Sequence, residues 1–237
     1  MKTENAVFTM WQNDLVILNL WIKYYIKHFD RLYIFCFNTK DQYWEELEKI
    51  KNKHNPKVIF EKLEKFGEDY VGDSHIDMFF IRTKQNVLLK DYNWVLFANC
   101  DEIIASPNLK KLMSDTNELL IPCEGYEVIQ IRKEKPIDYS KPYFKQREYW
   151  VKNINYNKIL FSKVPLVWNE GLHQIEGVTE DQSKEFKDTG LYLIHLKHAD
   201  LQREGDFGPK VSSLDPNIID HWRKNKKRIP EWVKKLL

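Results

Sequence analysis

Several features are scarce in this chain of 237 residues, and each scarcity excludes a class of protein. There are 3 cysteines, Cys36, Cys100 and Cys123, and they are too far apart in the chain to form a metal-binding pair. A sparse, odd set of this kind predicts reduced thiols and an intracellular compartment. No apolar run approaches the roughly 18 residues that a membrane-spanning helix needs. The first residues also lack the apolar core of a signal peptide, so we expect a cytoplasmic protein.

A large excess of charge of one sign is missing as well. The chain carries 37 Lys and Arg against 35 Asp and Glu, a formal net charge of +2. Because a dedicated nucleic-acid binder carries a strongly basic stripe, we expect no nucleic-acid partner. Basic residues cluster only in a C-terminal extension, 201–237, which also contains Trp222 and Trp232. This composition predicts either peripheral contact with an anionic membrane or, as we favour, tryptophans packed on the core.

The first hundred residues alternate between strand-like and helix-like patterns. Short apolar runs predict strands, and apolar residues at three- and four-residue steps predict the helices between them. The predicted strands are 6–10, 32–37, 58–60 and 94–98, with helices beginning at Asp14, near Trp44 and at 75. This order predicts an α/β fold, a doubly wound and mainly parallel sheet with right-handed crossovers.

The second half of the chain is less regular. Apolar runs predict strands at 119–122, 126–131, 159–161 and 191–194. The segment 133–157 is rich in Tyr, Lys and Pro, and we expect it to form loops over a ligand crevice. We see no internal repeat and no linker, so we expect one domain over 1–237.

The predicted strand 94–98 leads into Asn99 and then into a carboxylate pair, Asp101 and Glu102. In a parallel sheet, ligands bind beyond the carboxyl ends of the strands. Two carboxylates at such an end are a hard-oxygen site for Mg²⁺ or Mn²⁺. The alternative is a solvated Asp-Glu turn that caps the next helix.

Several blocks, in this order, resemble the GT-A glycosyltransferases around family 2 and the related family 92. The blocks are 11–14, 21–25, 94–104, 157–160, 171–173 and 191–197. The resemblance spans about residues 5–200 and implies a GT-A fold with an irregular C-terminal half. It also implies a nucleotide-binding half at 1–105 and a half at 106–200 that binds the acceptor and completes the metal site.

The resemblance also implies a metal site. The last Asp of the family's D-x-D motif, here Asp101, binds a divalent cation that bridges the nucleotide diphosphate. The first Asp is replaced by Asn99, which can hydrogen-bond a ribose hydroxyl but carries no charge. Metal-independent function therefore stays open. A late histidine often completes the site; His195 matches that place and His198 is the next candidate, and one imidazole among oxygens suits Mn²⁺ slightly better than Mg²⁺.

The turns after the first two strands are the expected cradle for the base and ribose. Arg82 is a candidate partner of the diphosphate. The full set of candidate nucleotide contacts is Thr9, Trp11, Asn13, Asn38, Asp73, Arg82, Gln85, Asn99 and Cys100.

An inverting transfer needs a general base for the acceptor hydroxyl. Glu170 is the first candidate, because the loop containing Gly171 could bring it over the sugar. Glu127 and Glu176 are alternatives. His173 is a candidate contact for donor phosphate or acceptor.

These observations favour metal-assisted transfer of a sugar from a UDP- or GDP-linked donor to a carbohydrate acceptor, with inversion by analogy to family 2. A sugar nucleotidyltransferase is one rival, but it would need a Gly-rich, cationic loop after the first strand, and 10–13 contains neither glycine nor a cation. A non-catalytic nucleotide- or carbohydrate-binding module is the other rival, which Asn99 keeps open.

Overall fold

The structure, a computed structural model, describes most of the chain and confirms the α/β class. The described residues are 2–63, 74–131, 134–169, 172, 175–177, 189–200, 222 and 224–237, without the side chains of 74–77. Its elements are β1 (Asn5–Trp11), α1 (Leu15–Tyr25), β2 (Arg31–Cys36), α2 (Trp44–His54), β3 (Val58–Lys62), α3 (Ser74–Leu88), β4 (Trp94–Phe97), β5 (Glu102–Ala105), α4 (Leu109–Asp115), β6 (Leu120–Ile129), β7 (Tyr149–Lys152), β8 (Lys158–Ser162), β9 (Tyr192–His195) and β10 (Lys227–Arg228).

The first four strands form a parallel sheet in the order β4-β1-β2-β3. Every residue of β4 is buried, as expected for a central strand covered on both faces. Helix α1 begins where predicted, because the Asp14 side chain accepts a hydrogen bond of 3.1 Å from the backbone N–H of Ile17. The sequence predicted this half of the fold element by element.

The second half is more ordered than the sequence predicted. Strand β8 pairs antiparallel with β4, and β6, β7 and β10 continue the sheet in antiparallel order. The two strands predicted at 119–122 and 126–131 are one strand, β6. The register with β8 shifts between Ile121 and Cys123, around Pro122, whose missing N–H cannot join a ladder. Strands β5, β7 and β10 and helix α4 were not predicted.

Strand β6 has different partners along its length. Its first residues pair with β8, and its last with β7. Between them, residues 124–127 pair in parallel with β9, which also pairs antiparallel with β5. The start of β5, the end of β9 and the middle of β6 therefore meet at one place.

The C-terminal residues that the structure describes pack on this second half, as we favoured. Trp222 lies against Ile129 and Val151, and Val233 is fully buried. Peripheral membrane contact by the basic extension stays a prediction. Within the ranges that the structure describes, no helix is long and apolar enough to cross a bilayer.

Two tyrosines of α1 tie the helix to β5, and they allow a matched test. The Tyr25 hydroxyl accepts from the N–H of Ile104 (2.8 Å) and donates to the carbonyl of Glu102 (3.1 Å), whereas Tyr24 donates once, to the carbonyl of Ile104 (3.1 Å). Both side chains are fully buried. We expect Tyr25→Phe to lower the free energy of unfolding by about 1–3 kcal/mol, because two buried backbone groups lose a partner. Tyr24→Phe should cost less in the same urea titration, and equal losses would contradict the assignment.

Candidate metal centre

His195, the last residue of β9, lies between two carboxylates because of the strand pairing. In the strand register His195 lies opposite Glu102 of β5 on one side and Glu127 of β6 on the other. Asp101 immediately precedes β5, and the two carboxylates next to the imidazole are those of Asp101 and Glu127. The backbone N–H of Leu196 donates to the carbonyl of Asp101 at 2.8 Å, which holds the two segments together beyond the strand ends. Residues far apart in the sequence therefore meet where β4 leads into β5.

The imidazole of His195 contacts both carboxylates, one with each nitrogen. Its Nε2 lies 3.2 Å from Asp101 Oδ2, and its Nδ1 lies 3.0 Å from both oxygens of Glu127. His198 brings its Nδ1 to 2.9 Å from Glu127 Oε1. The Asp101 side chain is 26% exposed and that of Glu127 only 1%, so the site opens on the Asp101 side.

Two aromatic rings cover the histidines. The ring centroid of Tyr156 lies 4.2 Å from that of His195, and the Trp222 centroid lies 4.9 Å from that of His198. Gly125 lets the Tyr156 segment approach, since a Cβ there would lie 2.5 Å from the backbone of that segment. The C-terminal extension thus contributes Trp222 to the wall of the site.

The turn that carries His198 is held by hydrogen bonds to its backbone. Its carbonyl accepts from the N–H of Gln130 at 3.0 Å, and the next carbonyl, that of Ala199, accepts from the buried guanidinium of Arg147. Such anchoring fixes the backbone position from which the His198 side chain extends.

Burial and charge act in opposite directions on this cluster. Burial favours neutral groups, yet the Glu127 and Asp101 carboxylates outweigh it and raise the pKa of His195 to about 10. Burial likewise acts to raise the pKa of Glu127, but the two histidines hold it below its ordinary value. Burial, with help from Glu127 and Asp101, raises the pKa of Tyr156. In the metal-free protein His195 is therefore an imidazolium between two carboxylates.

This arrangement predicts how the stability of the metal-free protein depends on pH. Because the pKa of His195 is raised from 6.5 to about 10 on folding, its contribution to stability is complete below pH 6.5 and is lost as the pH rises towards 10. We expect the free energy of unfolding, measured in urea with EDTA present, to fall from pH 6.5 to pH 8.5. The fall should be smaller in His195→Gln, and equal slopes in the two proteins would contradict this account.

The carboxylates of Asp101 and Glu102 have separate environments, although the sequence placed both at the lip of the crevice. Successive side chains of a strand point to opposite faces. Glu102 points inwards, is 1% exposed, and lies 2.9 Å from the Lys158 Nζ and 3.2 Å from the backbone N of Asn99. It holds the turn that carries Asp101 and does not face the crevice.

Asp101 and His195 fit a divalent metal ion. Neighbouring ligands of an octahedral ion with bonds of about 2.1 Å lie about 3 Å apart, close to the 3.2 Å between Asp101 Oδ2 and His195 Nε2. A ligating histidine normally donates its other N–H to a carboxylate, as His195 is placed to do with Glu127. The side chains present thus match both the inner ligands and the outer shell of such a site.

Two of the predicted nucleotide contacts come together beyond the sheet. Asn13 follows β1 and Asn38 follows β2, and the Asn13 amide donates to the Asn38 carbonyl at 3.4 Å. Both have left-handed backbone conformations, with φ of 50° and 43°. Asn99, partly exposed, follows β4 on the same edge, and Arg82 is partly exposed on α3.

Four other predicted contacts form hydrogen bonds within the fold; Thr9, Trp11 and Gln85 are buried and Cys100 is partly exposed. Thr9 and Gln85 are fully buried, and Gln85 bonds the backbone N–H of Leu166 at 3.0 Å. Trp11, 2% exposed, donates its indole N–H to the carbonyl of Asp14 at 2.8 Å. Burial raises the pKa of the Cys100 thiol, which lies 3.4 Å from Thr9 Oγ1. These contacts tie the side chains to the fold, and their roles as nucleotide contacts stay predictions.

Three candidate residues, Asp73, Glu170 and His173, lie outside the described residues. Glu176 is described and exposed. Sequence reasoning missed Lys158, Tyr156 and Trp222 as parts of the site. One feature of the sequence could have indicated Lys158: a lysine directly precedes the apolar run 159–161. A lysine in a buried strand is unusual unless it is paired with a carboxylate.

No protein-family model matches the chain, and no curated protein sequence does either. A mannosyltransferase from Pyrobaculum calidifontis, in complex with GDP-Man and Mn²⁺, resembles it with a TM-score of 0.34 at 10% identity, over 59% of this chain and 38% of its own. GalNAc-T7 with UDP, GalNAc and Mn²⁺ resembles it with a TM-score of 0.46 at 10% identity, over 93% and 47%. A glucose-1-phosphate thymidylyltransferase described as putative, from Bacillus anthracis, gives 0.35 at 7% identity, over 69% and 70%. The chain thus spans less than half of either glycosyltransferase, and similarities this low carry no argument about activity.

Proposed function

We propose that the protein is a glycosyltransferase that moves a sugar from a UDP- or GDP-linked donor to a carbohydrate acceptor, assisted by a divalent metal ion. The observation that carries the proposal is the approach of Asp101 Oδ2 to His195 Nε2, 3.2 Å, at the carboxyl end of the parallel sheet. When bound there, Mn²⁺ or Mg²⁺ supplies positive charge against which the diphosphate leaving group is stabilised.

Glu127 has a positioning role in this proposal. Its carboxylate accepts the Nδ1–H of His195, so Nε2 would offer its lone pair on the side of Asp101 once a metal ion displaces the Nε2 proton. Burial and its two histidine partners make it unsuitable as the base for an acceptor. Glu170 stays the predicted base.

The exposed amides beyond the sheet supply the nucleotide contacts in this proposal. Asn13 and Asn38 bind the base or ribose, and Asn99 hydrogen-bonds a ribose hydroxyl. Arg82 pairs with the diphosphate. Direct displacement with inversion is the expected course, and the anomeric configuration of the product would check it.

A thermal-shift series with nucleoside diphosphates tests the proposal. UDP or GDP at a hundred times its Kd stabilises the folded state by about 2.7 kcal/mol, which raises Tm by on the order of 5–10 °C in a protein of this size. We expect this rise only when Mn²⁺ or Mg²⁺ is also present, followed by slow hydrolysis of the matching nucleotide sugar.

The same series separates the rivals. Binding without any turnover would favour a binding module, and formation of a sugar nucleotide from a nucleoside triphosphate and a sugar phosphate would favour a nucleotidyltransferase. Failure of every nucleotide to shift Tm, with or without metal, would overturn the proposal.

A further inference from the structure

We propose that Glu127, His195 and His198 form a second metal site, selective for Zn²⁺, and that a metal ion bound there excludes one from Asp101. The three residues offer a carboxylate oxygen and two Nδ1 atoms that all lie within 4.8 Å of one another. These three residues form the inner site, and Asp101 with His195 Nε2 forms the outer site.

The ligands of the inner site are of the kind that zinc prefers. Two imidazoles and one glutamate are a known set for a zinc ion that keeps a fourth position open. Glu127 Oε1 lies 3.0 Å from His195 Nδ1 and 2.9 Å from His198 Nδ1, somewhat shorter than the roughly 3.4 Å between neighbouring ligands of a tetrahedral ion with bonds of about 2.1 Å.

The inner site is largely buried. Glu127 is 1% exposed and His198 15%, so an ion would enter past His198. The rings of Tyr156 and Trp222 flank the two histidines. With zinc on Nδ1, the Nε2–H of His195 would donate to Asp101, which supplies the outer-shell carboxylate that such sites usually have.

The two sites share one imidazole, and this makes them mutually exclusive. A neutral imidazole has one nitrogen with a free lone pair and one that carries a proton. His195 can therefore ligate at Nε2, with its proton towards Glu127, or at Nδ1, with its proton towards Asp101. The inner site has two nitrogens and favours Zn²⁺ over Mn²⁺, whereas the outer site is completed by oxygens and suits Mn²⁺ or Mg²⁺.

Binding of Zn²⁺ at the inner site does not depend on the proposed glycosyltransferase activity. Inhibition of the enzyme by Zn²⁺ does depend on it. If the outer site serves sugar transfer, Zn²⁺ inhibits the enzyme by competing with Mn²⁺. If no transfer occurs, the inner site still binds Zn²⁺, so the two failures are distinguishable.

Binding of the metal alone to the full chain tests the inference. Zn²⁺ affinity is measured by competition with a chromophoric chelator on wild type, His198→Gln and His54→Gln, a control histidine at the end of α2. We expect His198→Gln to lower the affinity for Zn²⁺ by about 100-fold or more. Loss of a residue in the outer shell of a metal site typically lowers metal affinity by about 10- to 100-fold, so a loss of this size indicates a direct ligand. His54→Gln should leave the affinity unchanged. Equal Zn²⁺ affinity in wild type and His198→Gln would overturn the proposal.

Exclusion between the sites is measured on the same proteins. Mn²⁺ bound to wild type, followed by its electron paramagnetic resonance, should be released by one equivalent of Zn²⁺, but retained in His198→Gln. Simultaneous binding of both ions to wild type at these positions would refute the shared imidazole. Should His198→Gln fail to fold by circular dichroism, Co²⁺ absorption of wild type decides: four-coordinate cobalt supports the inner site, and six-coordinate cobalt refutes it.

Discussion

Replacing Asp101 with alanine is expected to lower the metal-dependent turnover of a nucleotide sugar by about 10³-fold. Asp101 offers the only carboxylate on the exposed side of the His195 imidazole among the residues that the structure describes at this cluster. Without it, His195 alone faces a divalent ion, and the charge that would offset the diphosphate leaving group is lost. The rise in Tm caused by UDP or GDP with Mn²⁺ should disappear together with the turnover.

The fold should survive this substitution. The Asp101 side chain is partly exposed, and its backbone carbonyl, which accepts from Leu196, is unchanged by alanine. Asp91→Ala, at an exposed position in the turn before β4, is the matched control and should keep full activity. Unchanged turnover in Asp101→Ala, with kcat and KM both measured at saturating Mn²⁺, would refute the assignment of Asp101.

Replacing Lys158 with methionine is expected to be the most destabilising of the changes considered. Lys158 Nζ lies 2.9 Å from Glu102 Oε1, and the two side chains are 5% and 1% exposed. The substitution leaves the Glu102 carboxylate buried without its cation, which costs about 3–5 kcal/mol. For a chain of this length, Tm should fall by on the order of 10 °C.

Two further variants distinguish a buried ion pair from a general effect of removing lysine. Lys49→Met removes a lysine that is 58% exposed and paired with Glu45 and Glu46, and it should leave Tm nearly unchanged, because exposed ion pairs contribute little to stability. Adding Glu102→Gln to Lys158→Met should recover part of the loss, because an amide is easier to bury than an uncompensated carboxylate. A loss in Lys158→Met no larger than in Lys49→Met would contradict the pairing.

Local patterns were enough to predict the first half of the fold. Each strand there is a short apolar run, each helix has apolar residues at helical spacing, and Asp14 marks a helix start. The second half was harder to predict from the sequence, because its strands are defined by pairing with residues that are distant in the chain. Pro122 interrupted the apolar pattern, so β6 read as two strands, and the short strands β5 and β7 gain order from their neighbours more than from their own residues.

The candidate site was predictable only in part, for a related reason. Asp101 follows an obvious strand, and the family resemblance pointed to His195. The partnership of Glu127 with two histidines depends on parallel pairing between β6 and β9, which joins residues 68 positions apart. No local pattern carries that information. Trp222 is a similar case, since its contact with His198 depends on the path of a distant segment.

The wide spacing of the site residues has a consequence for biosynthesis. The ribosome finishes the four parallel strands when it reaches Phe97, but His195 is added 98 residues later. At about 5–20 residues per second, the delay is roughly 5–20 s. During that interval Asp101 and Glu102 have been synthesised but His195 has not, so a metal ion held by Asp101 and His195, as proposed, would have to bind after both halves have been made.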